Sequence, residues 1–225
     1  MRFNLHKVFL PLSSAGQFLF YLSKISKWRN ENKRHAFNDF YSPKFDYNKR
    51  YKMYEYIEEN EIKNEIIDYI EFGVSEGYSV KHWLKIHNNP SSSFFGFDTF
   101  EGLPEDWGGF KKGAMTARIP EVNDQRCKFI AGLFQDTLPS ALMQWKKERR
   151  KVIHLDADLY SSTYYALNTL APLLKKDDIL IFDEFSVPLH EFKAFTEFVA
   201  CYYIGYEVIA SSNNYFHTAI KLTKV

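Results

Sequence analysis

Five short apolar runs punctuate the middle of the chain, and each stops at a glycine or an aspartate. Residues 66–72 end at Gly73, 93–97 at Asp98, 127–131 at Gly132, 152–155 at Asp156 and 179–182 at Asp183. Runs of this length, closed by turn-forming residues, suit buried strands. Helical segments separate them at 79–87, 139–149 and 163–174, while the connection over 99–125 is longer and holds Trp107, Gly108 and Gly109. After a further helix at 190–203 come two more runs, 206–210 and 217–222, joined by the polar connector 211–214. That connector is too short for a crossover, so these two strands must be antiparallel.

Strands alternating with helices predict an α/β fold: a doubly wound, mostly parallel sheet covered by helices on both faces. Right-handed crossovers bring the strand C-termini to one edge, where ligands bind in such sheets. Glu71, Asp98, Asp156 and Asp183, scattered in sequence, are therefore expected to converge.

The N-terminal pattern differs. Apolar stretches at 8–12 and 18–22 are interrupted by the polar residues 13–17, which leaves neither a membrane span nor a signal-peptide core. From Phe18 onward, with Lys24, Lys27 and Arg29, the pattern predicts an amphipathic helix. Such a face packs against its own domain or a partner subunit, so a homo-oligomer such as a dimer is expected. Peripheral contact of residues 1–29 with a membrane surface is the alternative. Residues 30–50 read as an irregular connection and 51–60 as a helix. The chain thus divides into an N-terminal extension, 1–60, and a sheet domain, 61–225.

Composition narrows the function. With 225 residues the chain suits one domain of ordinary size. Its 29 Lys+Arg against 28 Asp+Glu provide no field for a nucleic-acid backbone. Cys127 and Cys201 form no metal or redox pair, which suits two buried thiols in a reducing, cytoplasmic location. The 21 Phe and 15 Tyr suggest an aromatic core.

The candidate chemistry lies at the strand ends. In Glu71-Phe72-Gly73-Val74-Ser75-Glu76-Gly77, the glycines allow a tight turn and close approach to a ligand. The spacing is not that of a dinucleotide fingerprint, and Glu76 disfavours a pyrophosphate, so a ligand with a cationic or zwitterionic end fits better. Asp98 lies where a ribose-binding carboxylate belongs. Asp156 and Asp158, two apart at a strand end, could face the same cleft if extended geometry persists. Together with Asp183 and Glu184 they would repel one another and require a cation, raised pKa values or basic neighbours. An all-oxygen set favours Mg²⁺ or Ca²⁺ over zinc. Ser161, Ser162 and Thr163 suit helix caps rather than nucleophiles. His154 is expected in the core, His82 and His87 in solvent, and His217 is a minor candidate at the sheet edge.

Four strings then carry a family resemblance: EFGV at 71–74, FDTFEGLP at 97–104, GLFQDTLP at 132–139 and LDADLYSST at 155–163. From about residue 51 to the C-terminus the chain resembles the macrocin O-methyltransferase family, class I S-adenosylmethionine-dependent enzymes, several of which methylate sugar hydroxyls. The resemblance implies a seven-stranded sheet whose last strand is antiparallel, S-adenosylmethionine as cofactor, and a small-molecule or glycan substrate. It implies that Gly73, Val74, Ser75 and Gly77 pass under the methionine part of the cofactor, with Glu71 in the same wall. Asp98 would hold the ribose, with Thr99, Phe100 and Gly102 continuing that wall. Phe134 and Asp136 would lie beside the adenine. Asp156 would border the cofactor and, with Asp183 and Glu184, form an Mg²⁺ site; Asp158 would be the general base. Well-defined metal sites of that family carry two adjacent aspartates where this chain has Asp183-Glu184. The loop at 107–113 could form a lid. Two other readings use the same residues: a metal-dependent hydrolase, and a non-catalytic assembly partner acting through its N-terminus. Affinity for S-adenosylmethionine separates the first reading from both.

Overall fold

A computed structural model describes residues 4–143 and 145–225. Met1 to Phe3, in the expected 1–29 segment, and Gln144, in the helix expected over 139–149, lie outside the described residues. The strands are β1 (Ile67–Phe72), β2 (Ser93–Asp98), β3 (Cys127–Ala131), β4 (Arg150–Leu155), β5 (Ile179–Phe182), β6 (Gly205–Ser212) and β7 (His217–Lys224). They form one sheet in the order β3-β2-β1-β4-β5-β7-β6. β1 to β5 pair in parallel, and β7 runs antiparallel to both β5 and β6. The expected doubly wound sheet with an antiparallel last strand is therefore the observed one. Its order reverses beside β1, between β2 and β4, so the ligand edge lies at the C-termini of those three strands.

The helices are α1 (Leu5–Glu31), α2 (Lys49–Ile57), α3 (Tyr78–Ile86), α4 (Phe134–Leu142), α5 (Tyr160–Leu170) and α6 (Glu191–Tyr202). The sheet separates two cores, one on each of its faces. One gathers Ile70, Phe72, Phe97, Leu155, Leu180 and Phe182 with α5, α6 and part of α1; the other gathers Tyr69, Val152 and Ile181 with α2 and α3. Aromatic packing is as extensive as the composition suggests. Phe72 stacks on Phe97 at 5.3 Å, and Trp28 packs on Phe185 at 4.7 Å.

Four local expectations change. The polar residues 13–17 do not interrupt the first helix, because Ser13 Oγ donates to the Leu10 carbonyl of the same helix at 2.8 Å and a lone Gly16 costs only about 1 kcal/mol. α4 starts at Phe134 rather than at Pro139. Phe134 and Leu138 are four apart and both buried, and that pair sets the helix while Pro139 lies on its exposed face. The thiols are not both buried either: Cys127 is half-buried and Cys201 exposed, since Cys201 lies off the α6 face that buries Phe195 and Phe198. His87, expected in solvent, is fully buried between Glu58 Oε2 (3.0 Å) and Ser92 Oγ (2.7 Å).

The boundary expected between residues 60 and 61 is not visible in the packing. Tyr21, Ile25 and Trp28, at i, i+4 and i+7 of α1, are buried in the first core, and Trp28 Nε1 donates to Tyr206 Oη at 2.9 Å. Arg50, Met53, Tyr54 and Ile57 form the buried stripe of α2. Between them, Phe37 bridges to Ala210, and Asn213 and Asn214 bind Asp46, Ser42 and Asp39. These contacts tie α1, α2 and the segment between them to the sheet. Along α1, Phe9, Leu10, Leu12 and Leu19 are exposed. Among the described residues no helix is long and apolar enough to cross a membrane.

Candidate active site

A cavity of about 370 Å³ opens at the C-terminal ends of β1, β2 and β4, where the strand order predicts a ligand. On one side lies the turn after β1. Gly73 has φ +88°, and a Cβ there would fall 1.8 Å from the Asp156 carbonyl oxygen. Only glycine lets the ends of β1 and β4 approach so closely. Asp98 fastens this turn: Oδ2 accepts from the Val74 and Ser75 amides, both at 2.8 Å, and Oδ1 from Phe100 N at 2.8 Å. The carboxylate thus holds the loop in shape, while Oδ1, with one donor, keeps capacity for a ligand hydroxyl. Glu71, Thr99, Gly102 and Phe134 complete this side. A flat, side-chain-free approach, an acid and an aromatic wall together fit an adenosyl-type cofactor.

Three expected residues lie elsewhere. Gly77 starts α3 with its Cβ direction against Pro120, which is 2.8 Å away. Phe100 is buried in the second core. Asp136 is exposed on the first turn of α4, because the helix begins before Pro139 and turns that side chain outward; its neighbours Leu133 and Gln135 line the cavity instead.

On the other side stand Asp156, Asp158 and Glu184. Extended geometry does not persist through this stretch: Asp158 has φ +58°, yet both aspartates border the cavity. The acids influence one another as the sequence requires. Burial, then the charges of Asp183 and Asp98, push Asp158 up to about 6. Burial, then Asp158 and Asp183, raise Glu184 to about 7. Burial and Asp183 also push Asp156 well above the carboxylate range. Asp183 goes the other way. Burial works against its charge, but His217, His154 and Arg50 outweigh it and hold the carboxyl well below its usual range.

Asp183 does not line the cavity; it lies 1% exposed beneath it. Among the described residues the one group able to converge on a metal is His154, Asp156 and Asp183, with ligand atoms within 4.8 Å of one another. Glu184 is not in it. Both ring nitrogens of His154 already face hydroxyls, Tyr69 at 3.0 Å and Tyr54 at 3.3 Å. Arg50 Nη1 lies 3.4 Å from Asp183 Oδ1 and 4.0 Å from Asp156 Oδ2. This set does not fit Mg²⁺, which wants several oxygens in octahedral array. Of the expected Asp156, Asp183 and Glu184, the first two come together and Glu184 stands outside the group.

Sequence reasoning missed Tyr47 and Arg50, which line the cavity from the N-terminal region. The signal was present. Arg50 falls at i relative to Met53 (i+3), Tyr54 (i+4) and Ile57 (i+7), a charge on an otherwise apolar stripe. The loop after β2 is tied down by Leu103 N to Ala114 O and Gly113 N to Leu103 O, both 2.8 Å. It brings Trp107 to the cavity mouth and Glu105 Oε1 to Ser161 Oγ at 2.6 Å.

Residues 117–210 match the family model described as Macrocin-O-methyltransferase (TylF). The resemblance read from the motifs is to this family. The matched residues of this chain include the DADLYSST string and the strands β4 and β5, after which Asp156, Asp158 and Asp183 follow. A curated relative from Streptomyces olivaceus, 8-demethyl-8-(2,3-dimethoxy-alpha-L-rhamnosyl)-tetracenomycin-C 4'-O-methyltransferase, is 30% identical over 53% of each chain. Demethyldecarbamoylnovobiocin O-methyltransferase from Streptomyces niveus is 26% identical over 52% of each. The chain spans about half the length of the curated relatives it matches. Among solved structures, the O-methyltransferase NovP superposes with a TM-score of 0.63 at 24% identity, over 78% of this chain and 80% of that one. A calicheamicin methyltransferase gives 0.63 at 18%, over 77% and 78%. The fold is therefore that of these methyltransferases.

Proposed function

We propose that this chain is an S-adenosylmethionine-dependent O-methyltransferase acting on a sugar hydroxyl of a small molecule or glycan. The observation that carries the reading is a single cavity with the Gly73–Asp98 turn on one side and Asp158 on the other. The rhamnose named in one relative supports the substrate class. When bound, S-adenosylmethionine supplies a methyl group on an already electrophilic sulfonium. The protein's part is alignment and proton removal. Gly73 to Ser75 give the cofactor a close backbone floor, Asp98 Oδ1 offers an acceptor for a ribose hydroxyl, and Phe134 with Leu133 makes an apolar wall for the base. Asp158 takes the acceptor's proton, with Glu184 beside it as a second acid near neutrality. Trp107 excludes water from the mouth. Calorimetric titration with S-adenosylhomocysteine tests the reading; no binding would end it.

The raised pKa of Asp158 sets a pH dependence. A base works when deprotonated, so kcat/KM should climb with pH up to about 6 and level off above it. A profile that stays flat across about two pH units around that value would remove Asp158 from the role.

The exposed half of α1 supports an oligomer contact with a second copy, with an anionic membrane surface as the alternative occupant, since α1 carries Lys7, Lys24, Lys27 and Arg29 and no acid before Glu31. Light scattering that gives the mass of one chain, together with no co-sedimentation with anionic vesicles, would discard both. The cytoplasmic location belongs to the same proposal.

A further inference from the structure

Carboxylates buried side by side need a positive charge, and a divalent ion is one source. In this chain the charge is covalently attached. Arg50 is 5% exposed and Asp183 1%, and one guanidinium nitrogen reaches both acids, 3.4 Å to Asp183 Oδ1 and 4.0 Å to Asp156 Oδ2. The guanidinium carbon sits 3.9 Å from the Tyr47 ring centroid and 5.1 Å from that of Tyr51. Nη2 donates to Tyr51 Oη at 3.3 Å. The Tyr47 hydroxyl donates to Asp183 Oδ2, and His217 Nδ1 stands 3.1 Å from Oδ1. Both Asp183 oxygens are therefore engaged by the chain itself. Arg50 is held in place by helix register, as the first member of the buried α2 stripe.

We propose that Arg50 is the permanent cation of the Asp156–Asp183 pair and that the site works without a divalent metal. A guanidinium keeps its charge at every physiological pH and is weakly hydrated, so it tolerates burial against acids and aromatic rings. Mg²⁺ binds oxygens at about 2.0–2.1 Å and keeps several waters. Sharing Asp183 Oδ1 with the Arg50 guanidinium 3.4 Å away would set two cations side by side, which disfavours the ion. Arg50 here is a positioning residue: it fixes Asp183 beneath the cavity and Asp156 in its wall, beside Asp158 and Glu184.

The turnover arm of the test rests on the methyltransferase reading; the metal arm does not. Mg²⁺ is titrated calorimetrically into the full chain, with Mn²⁺ paramagnetic broadening as a second readout. The wild type should bind neither ion at millimolar concentration. Arg50→Met, which removes the charge but keeps much of the bulk, should bind Mg²⁺ at least about tenfold tighter, the direction dictated by loss of a unit charge within 4 Å. Arg50→Lys keeps a cation and should bind no better than wild type. Methyl transfer by the wild type should be equal in EDTA and in Mg²⁺. Tight Mg²⁺ binding by the wild type, loss of transfer in EDTA, or no gain in a folded Arg50→Met variant would overturn the proposal. If Arg50→Met does not fold, the wild-type and Arg50→Lys titrations still decide it. Absence of transfer in both buffers would count against the methyltransferase reading alone.

Discussion

Asp158→Asn is expected to lower the rate of methyl transfer by about 10²–10⁴-fold, the usual contribution of a positioned base. Asparagine has nearly the same shape as aspartate but cannot accept the proton. An aliphatic hydroxyl is a poor acid, so its proton must leave as the methyl arrives. Asp158 borders the cavity, and its proton affinity is raised to about 6 by burial and by Asp183 and Asp98. It is thus ionised at neutral pH yet basic for a carboxylate. The turn that would hold the cofactor is fastened by Asp98 rather than by Asp158. Affinity for S-adenosylhomocysteine should therefore change little. The measurements are initial rates with a rhamnosyl glycoside as acceptor and calorimetry with S-adenosylhomocysteine. Wild-type rates in the variant would sink the base assignment, and a parallel loss of cofactor binding would move Asp158 into the cofactor wall.

The second large effect is structural. Gly73→Ala should destabilise the fold by about 2–6 kcal/mol, combining a strained left-handed conformation with overpacking. The new methyl would start 1.8 Å from the Asp156 carbonyl oxygen and 2.6 Å from its carbon. Both are backbone atoms of a neighbouring strand end, and neither can rotate away. Gly73 N also donates to Phe97 O, and Asp156 N to Phe72 O, both at 2.9 Å. Relief of the clash would therefore pull β1 from β2 or from β4, and the cavity opens at these strand ends. Against a typical domain stability of about 5–15 kcal/mol this is a large fraction. Urea unfolding should show the midpoint falling sharply, with S-adenosylhomocysteine affinity lost in whatever remains folded. Gly109→Ala is the control. Its Cβ would meet nothing within 4 Å, so the midpoint should stay within about 0.5 kcal/mol of wild type. A Gly73→Ala variant as stable as Gly109→Ala would refute the close-approach argument.

Much of the sheet was legible because period and punctuation agree. Each parallel strand is a short apolar run stopped by Gly or Asp, and the connector at 211–214 leaves room only for a hairpin. Helix starts were less legible. The helix expected over 139–149 begins instead at Phe134, because the Phe134–Leu138 pair decides where α4 starts, and the worth of that pair depends on a core the sequence does not display. That same shift carried Asp136 out of the cavity. The segment before residue 61 was the least legible part. Its irregular, polar-aromatic stretch has no period, and its partners, Ala210, Asn213, Asn214 and Tyr215, lie more than 150 positions away.

By itself the sequence determined the doubly wound sheet, the edge where the acids meet, and the separation of a glycine–Asp98 turn from an acid group around Asp158. Local period, turn chemistry and the handedness of crossovers are enough for that. Only the tertiary structure decided what balances the acids. Four carboxylates near one edge demand compensation, but sequence cannot say whether it comes from a metal, from shifted proton affinities or from a distant side chain. Folding α2 against the sheet brings Arg50 to Asp183, 133 positions away, and burial raises the proton affinities of Asp156, Asp158 and Glu184. Charge compensation depends on distances of a few ångströms in a low-dielectric setting, and those distances exist only after long-range packing has fixed them.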